Sequence, residues 1–359
     1  MNEYEISDIR EKKDLKGGTF SNYKKSEVKK TLIQQLYKEN LEQSLFWSCE
    51  LICSGAYMEL WEIILLFISK YIHLGNPKIA IYTELRFQNF KSIVTGGYIG
   101  NELAMRNNEK IRTLFAEIIT VLCLSPKRHG FDTIKISKDN DFNLTYLQNR
   151  FKAPNTNFAN IAFRKDDPKE LFISINELAY HLSSQSRNLV DACFWIEWII
   201  EYDTICKQQK KILKCERREK IPVDPKFQTD SIWIVWDIII KNIETINKDK
   251  NKAITKKIID SLLTLFCLHY SSSCKKKRRY ILYYAISILI DSYNPNIEII
   301  RDKSIIEKVL SQIKNIYKQI KKSEVKPKTD YLFNGVEEAK SNLEKTVEKL
   351  DKINEITIR

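Results

Sequence analysis

The chain contains three runs of closely spaced lysine and arginine residues, and their cationic side chains are the candidates for chemistry that are most easily defined. They occur in the segments SPKRHG, KQQKKILKCERREK and SSSCKKKRRY. Lysine and arginine at such density bind phosphate groups through counterion release, without selectivity for bases. The sequence therefore predicts contacts with a phosphate backbone by the following residues: Lys127, Arg128, His129, Lys210, Lys211, Lys214, Arg217, Arg218, Lys275, Lys276, Lys277, Arg278 and Arg279.

The alternative for each run is a solvated helix end, where cations also interact favourably with the helix dipole. The five consecutive cations from Lys275 to Arg279 fit this alternative least. Side chains of like charge that are so close repel one another unless an anion lies between them. This run therefore carries most of the prediction of a phosphate-binding surface.

Metal binding and acid–base catalysis are the other candidate chemistries, and residue spacing supports neither. Cys267, His269 and Cys274 lie close in sequence, but the paired spacing of a zinc site is incomplete. Acids that lie among apolar residues on predicted helices are interpreted as salt-bridge partners of arginines. These acids are Glu50, Glu62, Glu117, Glu177, Glu197 and Asp237. We expect no catalytic residue, no metal and no cofactor.

The composition indicates which elements position these side chains. The chain has 359 residues with only 9 glycines and 8 prolines, which favours long helices because a β-rich chain needs more turn residues. Its net charge of +13 favours polyanionic partners, nucleic acid first and acidic membrane surfaces second. A lysine-rich composition without such a role is the alternative. The charged N-terminus and the short longest apolar run, residues 280–290, predict neither secretion nor a membrane span.

Apolar residues recur at helical spacing along most of the chain and divide it into predicted segments. Residues 1–22 are interpreted as a mobile polar arm and residues 23–136 as a first, collar-like helical domain. The pattern changes at residues 137–166, which we interpret as a connector, and resumes in a second helical domain over residues 167–295. Residues 296–359 form predicted C-terminal helices, the last of them detachable. The predicted fold is all-α, a collar-like or solenoid-like array.

A Phe-Trp pair occurs twice at the same distance from an Asn-Leu start, in NLEQSLFW at Trp47 and in NLVDACFW at Trp195. Aligning the two pairs suggests two duplicated helical halves, in which both tryptophans are core anchors and the basic loops share one side. The alternative is that two isoleucine-rich helical segments align by chance. On either interpretation, the aromatic pairs belong to the core.

Residues 24–136 resemble the C-terminal helical region of the RarA/MgsA group of clamp-loader-like AAA+ ATPases. The similar features are FWSCELICSG, the junction SKYIHLGNP from Ser69 to Pro77, and the run from Leu122 to Lys127. In that group the region packs into a collar and drives oligomerisation, so the resemblance implies a collar-like array and a homo-oligomer. The sequence lacks the GxxxxGK[ST] phosphate loop of the ATPase module, so nucleotide hydrolysis is not implied.

The whole chain also resembles uncharacterised proteins of large nucleocytoplasmic DNA viruses of the mimivirus type, in WSCELICSGAYMELWEI, KYIHLGNPKI and NELAMRNNEKIR. This resemblance implies a location in the host cytoplasm (a viral factory) or in the virion, with viral replication or packaging proteins as partners. We expect a non-catalytic, nucleic-acid-associated scaffold or oligomerisation factor. The alternatives are an interaction protein of the virion or host interface and an enzyme whose site is assembled from dispersed acids and histidines.

Overall fold

The computed structural model describes residues 3–245, 251–300 and 302–325. Within these ranges the chain is helical and contains no strand, apart from an isolated antiparallel bridge between Lys214 and Asp230. The predicted all-α fold class is confirmed. No helix in the described ranges is both long and apolar enough to cross a bilayer.

The first half, up to residue 136, contains five α-helices among the described residues. They are α1 (Lys25–Tyr37), α2 (Leu41–Cys53), α3 (Tyr57–Phe67), α4 (Ile79–Thr95) and α5 (Glu109–Leu124). Asparagine side chains cap the starts of α2 and α5: Asn40 accepts from the backbone N–H of Gln43, and Asn108 from that of Ile111. These bonds satisfy N–H groups that the first turn of a helix leaves unpaired.

The second half continues the array with longer connections. Its helices are α6 (Leu144–Leu147), α7 (Phe172–Leu182), α8 (Leu189–Gln208), α9 (Ile232–Thr245), α10 (Lys252–Cys267), α11 (Cys274–Lys277), α12 (Arg279–Ile290) and α13 (Lys303–Lys321). The short helix α6 lies inside the predicted connector. The predicted helix beyond Pro327 lies outside the described residues.

One hydrophobic core extends from Ile6 to Ile320 and includes residues of both predicted helical domains. α10 packs against α4, and α12 packs against the π-helical turn Ile68–Ile72 that continues α3. α13 returns to the first half and packs against α2 and α5. The segments predicted as separate domains therefore share one core.

Residues 3–22 pack onto this core, which corrects the prediction of a mobile polar arm over residues 1–22. Ile6, Leu15 and Phe20 are buried. Asn107 brackets the backbone of Ile6: its Oδ1 accepts from the Ile6 N–H at 2.9 Å, and its Nδ2 donates to the Ile6 carbonyl at 2.8 Å. The charged composition of this segment suggested exposure to solvent, but a few apolar residues spaced among the charges are enough to anchor it to the core.

The two Phe-Trp pairs share a local design but not an environment. Asn188 caps α8 as Asn40 caps α2, and both pairs are edge-to-face with centroids 5.2 Å apart. Trp195 is buried, as predicted, whereas Trp47 is only half-buried and packs beside Tyr23. Duplication of the halves stays a prediction.

The cations of the run KQQKKILKCERREK lie mostly beyond the end of α8. The helix ends at Gln208, and Lys210 follows with a left-handed φ of 59°. The N–H of Lys211 closes the end by bonding to the Cys206 carbonyl at 2.8 Å. Glycine is usual at such a position because it has no Cβ, so Lys210 occupies a strained conformation.

The junction between α3 and α4 contains a buried histidine. His73 Nε2 lies 3.1 Å from the carbonyl oxygen of His129, and its ring stacks on Phe131 with centroids 4.2 Å apart. Burial lowers the pKa of His73 to about 4, in spite of this hydrogen bond, which by itself raises the pKa. The neighbouring cation Arg128 lowers it further. The neutral ring is thus the form that the fold accommodates.

This histidine makes the stability of the protein depend on pH. Its pKa is lower when folded than the value of 6.5 in the unfolded chain, so its contribution is present above pH 6.5 and is lost as the pH falls. Lowering the pKa from 6.5 to about 4 reduces the free energy of unfolding by roughly 3 kcal/mol once the pH falls below both values. In urea unfolding at pH 7 and pH 4.5, His73→Gln should lose less stability than the wild type. The exposed His129 serves as the control, and an equal loss in His73→Gln and His129→Gln would contradict this account.

Candidate nucleic-acid interface

The cationic run from Lys275 to Arg279 is largely internal. Lys275 is 3% exposed, and its Nζ lies 2.7 Å from Asp203 of α8 and 2.7 Å from Asp230, which precedes α9. Burial lowers the pKa of Lys275, but the two carboxylates outweigh it and hold the pKa above its ordinary value. The ammonium group is therefore charged, paired and out of reach of a phosphate.

The next cations of the run are also bound to acids. Arg278 is buried and pairs with Glu62 of α3, while also donating to the carbonyls of Phe266 and Leu268 at 2.7 and 2.6 Å. Arg279 pairs with Glu197 at 2.8 Å.

Lys276 pairs with Glu201 at 3.0 Å and stays partly exposed, and Lys277 is exposed. The prediction for the run is corrected accordingly, because carboxylates of the protein supply the anions that Lys275, Arg278 and Arg279 need.

Arg218 is likewise removed from the predicted phosphate-binding set. Its guanidinium group is 2% exposed and bonds to Asp167 through two nitrogens at 2.7 Å and to Asp237 at 2.8 Å. Burial lowers the pKa of Arg218, but the hydrogen bonds to the two aspartates raise it by more. Through the ion pair with Asp237, Arg218 ties the segment after α8 to α9.

The loop of residues 127–129 stays partly open to solvent. Lys127 pairs with Glu39 at 2.9 Å, whereas Arg128 and His129 are exposed. The segment that follows leads to the start of α12, where Thr133 Oγ1 lies 2.7 Å from the hydroxyl of Tyr280. This hydrogen bond anchors the chain that follows the loop to the buried Tyr280.

Among the described residues, three of the predicted phosphate-binding cations that keep no acid partner lie close together in sequence after α8. Lys210, Lys211 and Lys214 are exposed, and none of them has a carboxylate within 4.0 Å among the described residues. Arg217 is exposed and donates to the side chain of Gln228 at 2.7 Å. Lys207, which pairs with Asp203 at 2.7 Å, is 45% exposed. We call residues 207–217 the basic segment.

A groove that the sequence did not reveal lies beside the basic segment. Its volume is about 760 Å³, and its walls come from α7, α8, the connector and the basic segment itself. We call it the aromatic groove and define it by the residues Phe142, Leu144, Phe151, Glu170, Ile173, Trp195, Trp198, Tyr202, Lys211 and Ile212. Trp195, Trp198 and Tyr202 have the spacing of an ordinary core stripe on α8, so sequence periodicity cannot separate groove from core.

Ordered contacts hold the floor of the groove. Trp198 donates its Nε1–H to the carbonyl of Asp141 at 2.7 Å, which fixes the connector against α8. Cys206 also lines the groove, and burial raises the pKa of its thiol. A protonated thiol is a poor nucleophile, so this cysteine is not activated for covalent chemistry.

Four of the six acids predicted as salt-bridge partners pair with arginines, whereas Glu50 and Glu177 accept hydrogen bonds from other groups. Glu117 pairs with Arg86, and Asp237 pairs with Arg218. Glu177 accepts from the backbone N–H groups of Lys152 at 2.8 Å and Ala153 at 3.1 Å, so it fastens the connector to α7. Burial raises the pKa of Glu177. No group of three or more metal-ligating side chains is clustered in the described part of the chain.

Comparison of this chain with protein-family models, with curated proteins and with solved structures gave no match. The resemblances to the clamp-loader collar and to the viral proteins therefore stay predictions.

The buried ion pairs of Lys275 can be tested with a matched pair of variants. Lys275→Met leaves Asp203 and Asp230 buried without their shared cation and should lower the free energy of unfolding by about 3–5 kcal/mol. Lys277→Met, an exposed position on the same short helix, should change it by no more than about 0.5 kcal/mol. Urea denaturation measures both. Similar small effects in the two variants would show that Lys275 is not an internal cross-link.

Proposed function

We propose that this protein is a non-catalytic, nucleic-acid-associated scaffold that binds phosphate backbones through the basic segment. The observation that carries the proposal is the set of Lys210, Lys211 and Lys214, which are exposed, close together in sequence and without acid partners among the described residues. Cations in this state release counterions when they meet phosphates, which favours binding. Lys207 and Arg217 of the same segment add exposed charge.

The distribution of charge along the chain supports this proposal. Residues 326–359 contain seven lysines and arginines and seven acids, so the net charge of +13 comes from the rest of the chain. Within that part, Lys275, Arg218 and Arg278 are buried and paired with aspartate or glutamate. Arg106 and Arg112 are also buried, but they donate to carbonyl and amide oxygens instead of acids. Most of the remaining positive charge is exposed, where it acts on polyanions in solution.

A second candidate function is an interaction protein that does not bind nucleic acid. The observation that favours it is the rim of the aromatic groove, where Leu144 and Ile212 are 71% and 75% exposed. Exposed apolar side chains around a groove are typical of protein-binding sites. Binding of a protein partner that is insensitive to salt would distinguish this candidate. A role in viral DNA replication, recombination or packaging, and a homo-oligomeric state, stay predictions from the resemblances.

Salt dependence tests the proposed function. About four phosphate contacts should make the logarithm of the binding constant fall with the logarithm of salt concentration, with a slope of about −3. In the triple variant Lys210→Gly, Lys211→Gln and Lys214→Gln, binding should weaken strongly and little of this slope should remain, because each lysine accounts for about one unit. Glycine at position 210 also relieves the positive φ, which protects the fold. Fluorescence anisotropy with a labelled oligonucleotide measures both quantities.

The control for this test changes the same charge elsewhere. Lys29, Lys30 and Lys38 are exposed on and just after α1, and their replacement by Gln removes three charges as well. The proposal expects near wild-type binding for this control. Equal weakening in both triple variants would mean that net charge, and not the basic segment, governs binding.

A further inference from the structure

The floor of the aromatic groove is built from nearly parallel rings. Trp198 and Tyr202, one turn apart on α8, stack with centroids 5.1 Å apart and planes inclined by 8°. Phe142 of the connector lies 6.1 Å from Tyr202 at 23° and 5.0 Å from Trp198 at 31°. Tyr202 and Phe142 are only half-buried, so the set of rings is open to the groove. A planar ligand ring adds to such an arrangement with favourable geometry.

The rim of the groove is apolar and exposed. Leu144 and Ile212 lie at its edge, together with Ile173, which is 41% exposed. Ile212 follows directly after Lys211, so an apolar contact and a cation stand side by side on the basic segment. A ligand that covers these side chains removes apolar surface from water, which stabilises the complex.

The occupant must therefore combine flat apolar rings with negative charge. Lys211 lines the groove itself, and Lys207 and Lys210 belong to the same segment. Bases of single-stranded nucleic acid have exposed ring faces, joined at short intervals by phosphates, whereas a duplex hides these faces in its base stack. Duplexes can meet the cations but cannot enter the groove.

We propose that the aromatic groove takes a base of single-stranded nucleic acid while the basic segment holds the adjacent phosphates. This inference rests on the proposed function and gives it a substrate class. An acidic amphipathic peptide is the competing occupant, because it also combines apolar groups with negative charge. Glu170 on the groove wall favours the base: its carboxylate repels the carboxylates of such a peptide but accepts hydrogen bonds from base N–H groups.

The test compares three probes of equal length by fluorescence anisotropy: a thymine homopolymer, its duplex with the complementary strand, and an abasic strand with the same phosphates. The single strand should bind between about fivefold and a hundredfold more tightly than the abasic strand for each inserted base. It should also bind more tightly than the duplex at the same salt concentration. Quenching of tryptophan fluorescence by the thymine strand, and not by the abasic strand, should accompany binding.

Two variants test whether the preference for the single strand over the abasic strand arises in the aromatic groove. Ile212→Ser and Tyr202→Leu should each reduce the preference for the single strand over the abasic strand several-fold, with little effect on abasic binding. Ile99→Ser is the matched control for Ile212→Ser, since Ile99 is 77% exposed and does not line the groove. Because Ile212 is 75% exposed, its replacement should leave the fold intact.

The possible failures are distinguishable. Equal binding of the three probes by the wild type would overturn base insertion and leave the proposed function standing. Absence of binding to every probe at low salt would overturn both. An acidic amphipathic peptide whose binding depends on Ile212, together with strand binding that does not, would assign the groove to a peptide and overturn the inference.

Discussion

The buried contact of Lys275 with Asp203 and Asp230 is the interaction on which the second half of this protein depends. It joins α8, the start of α9 and α11 at one point inside the core. A charged ammonium in such a place is stable only with anionic partners, and removing one member leaves a charge that water cannot reach. Lys275, the first residue of the most basic run of the sequence, is thus an internal cross-link.

The same logic extends to the ends of the neighbouring helices. Arg278 and Arg279 fasten the start of α12 to α3 and α8, and Arg218 fastens the segment after α8 to Asp167 and Asp237. Once these cations have their acids, the basic segment is the part of the predicted phosphate-binding set that keeps three neighbouring exposed lysines. Because Asp203 lies next to Tyr202 in α8, the cross-link also holds the turn of α8 that contributes to the aromatic groove.

How far the sequence predicts this molecule depends on whether the decisive information is local. The all-α class follows from few glycines and prolines and from helical periodicity, and the burial of Trp195 follows from its apolar neighbours. Whether Lys275 or Lys211 is exposed is not a local property. The fold brings Asp230, 45 positions earlier in the chain, to Lys275, whereas no acid of the described ranges pairs with Lys211.

The aromatic groove was missed for a similar reason. Trp198 and Tyr202 have core spacing on α8, and they form a groove only because Phe142 and Leu144 of the connector stop short of covering them. The packed N-terminal segment shows the opposite error: its charges suggested an arm in solvent, yet Ile6 and Phe20 reach the core. In each case the deciding contact joins residues that are distant in sequence.

The most direct test of which lysines are buried and which bind phosphate is amine acylation of the intact protein, read by mass spectrometry. The reaction is run with and without a single-stranded oligonucleotide. A reagent modifies lysines that solvent reaches, so each site reports its own exposure and its own protection. The account predicts that Lys275 is unreactive in both states, and that Lys210, Lys211 and Lys214 react in the free protein and are protected in the complex. A reactive Lys275 that the oligonucleotide protects, with no change at the other three lysines, would contradict it.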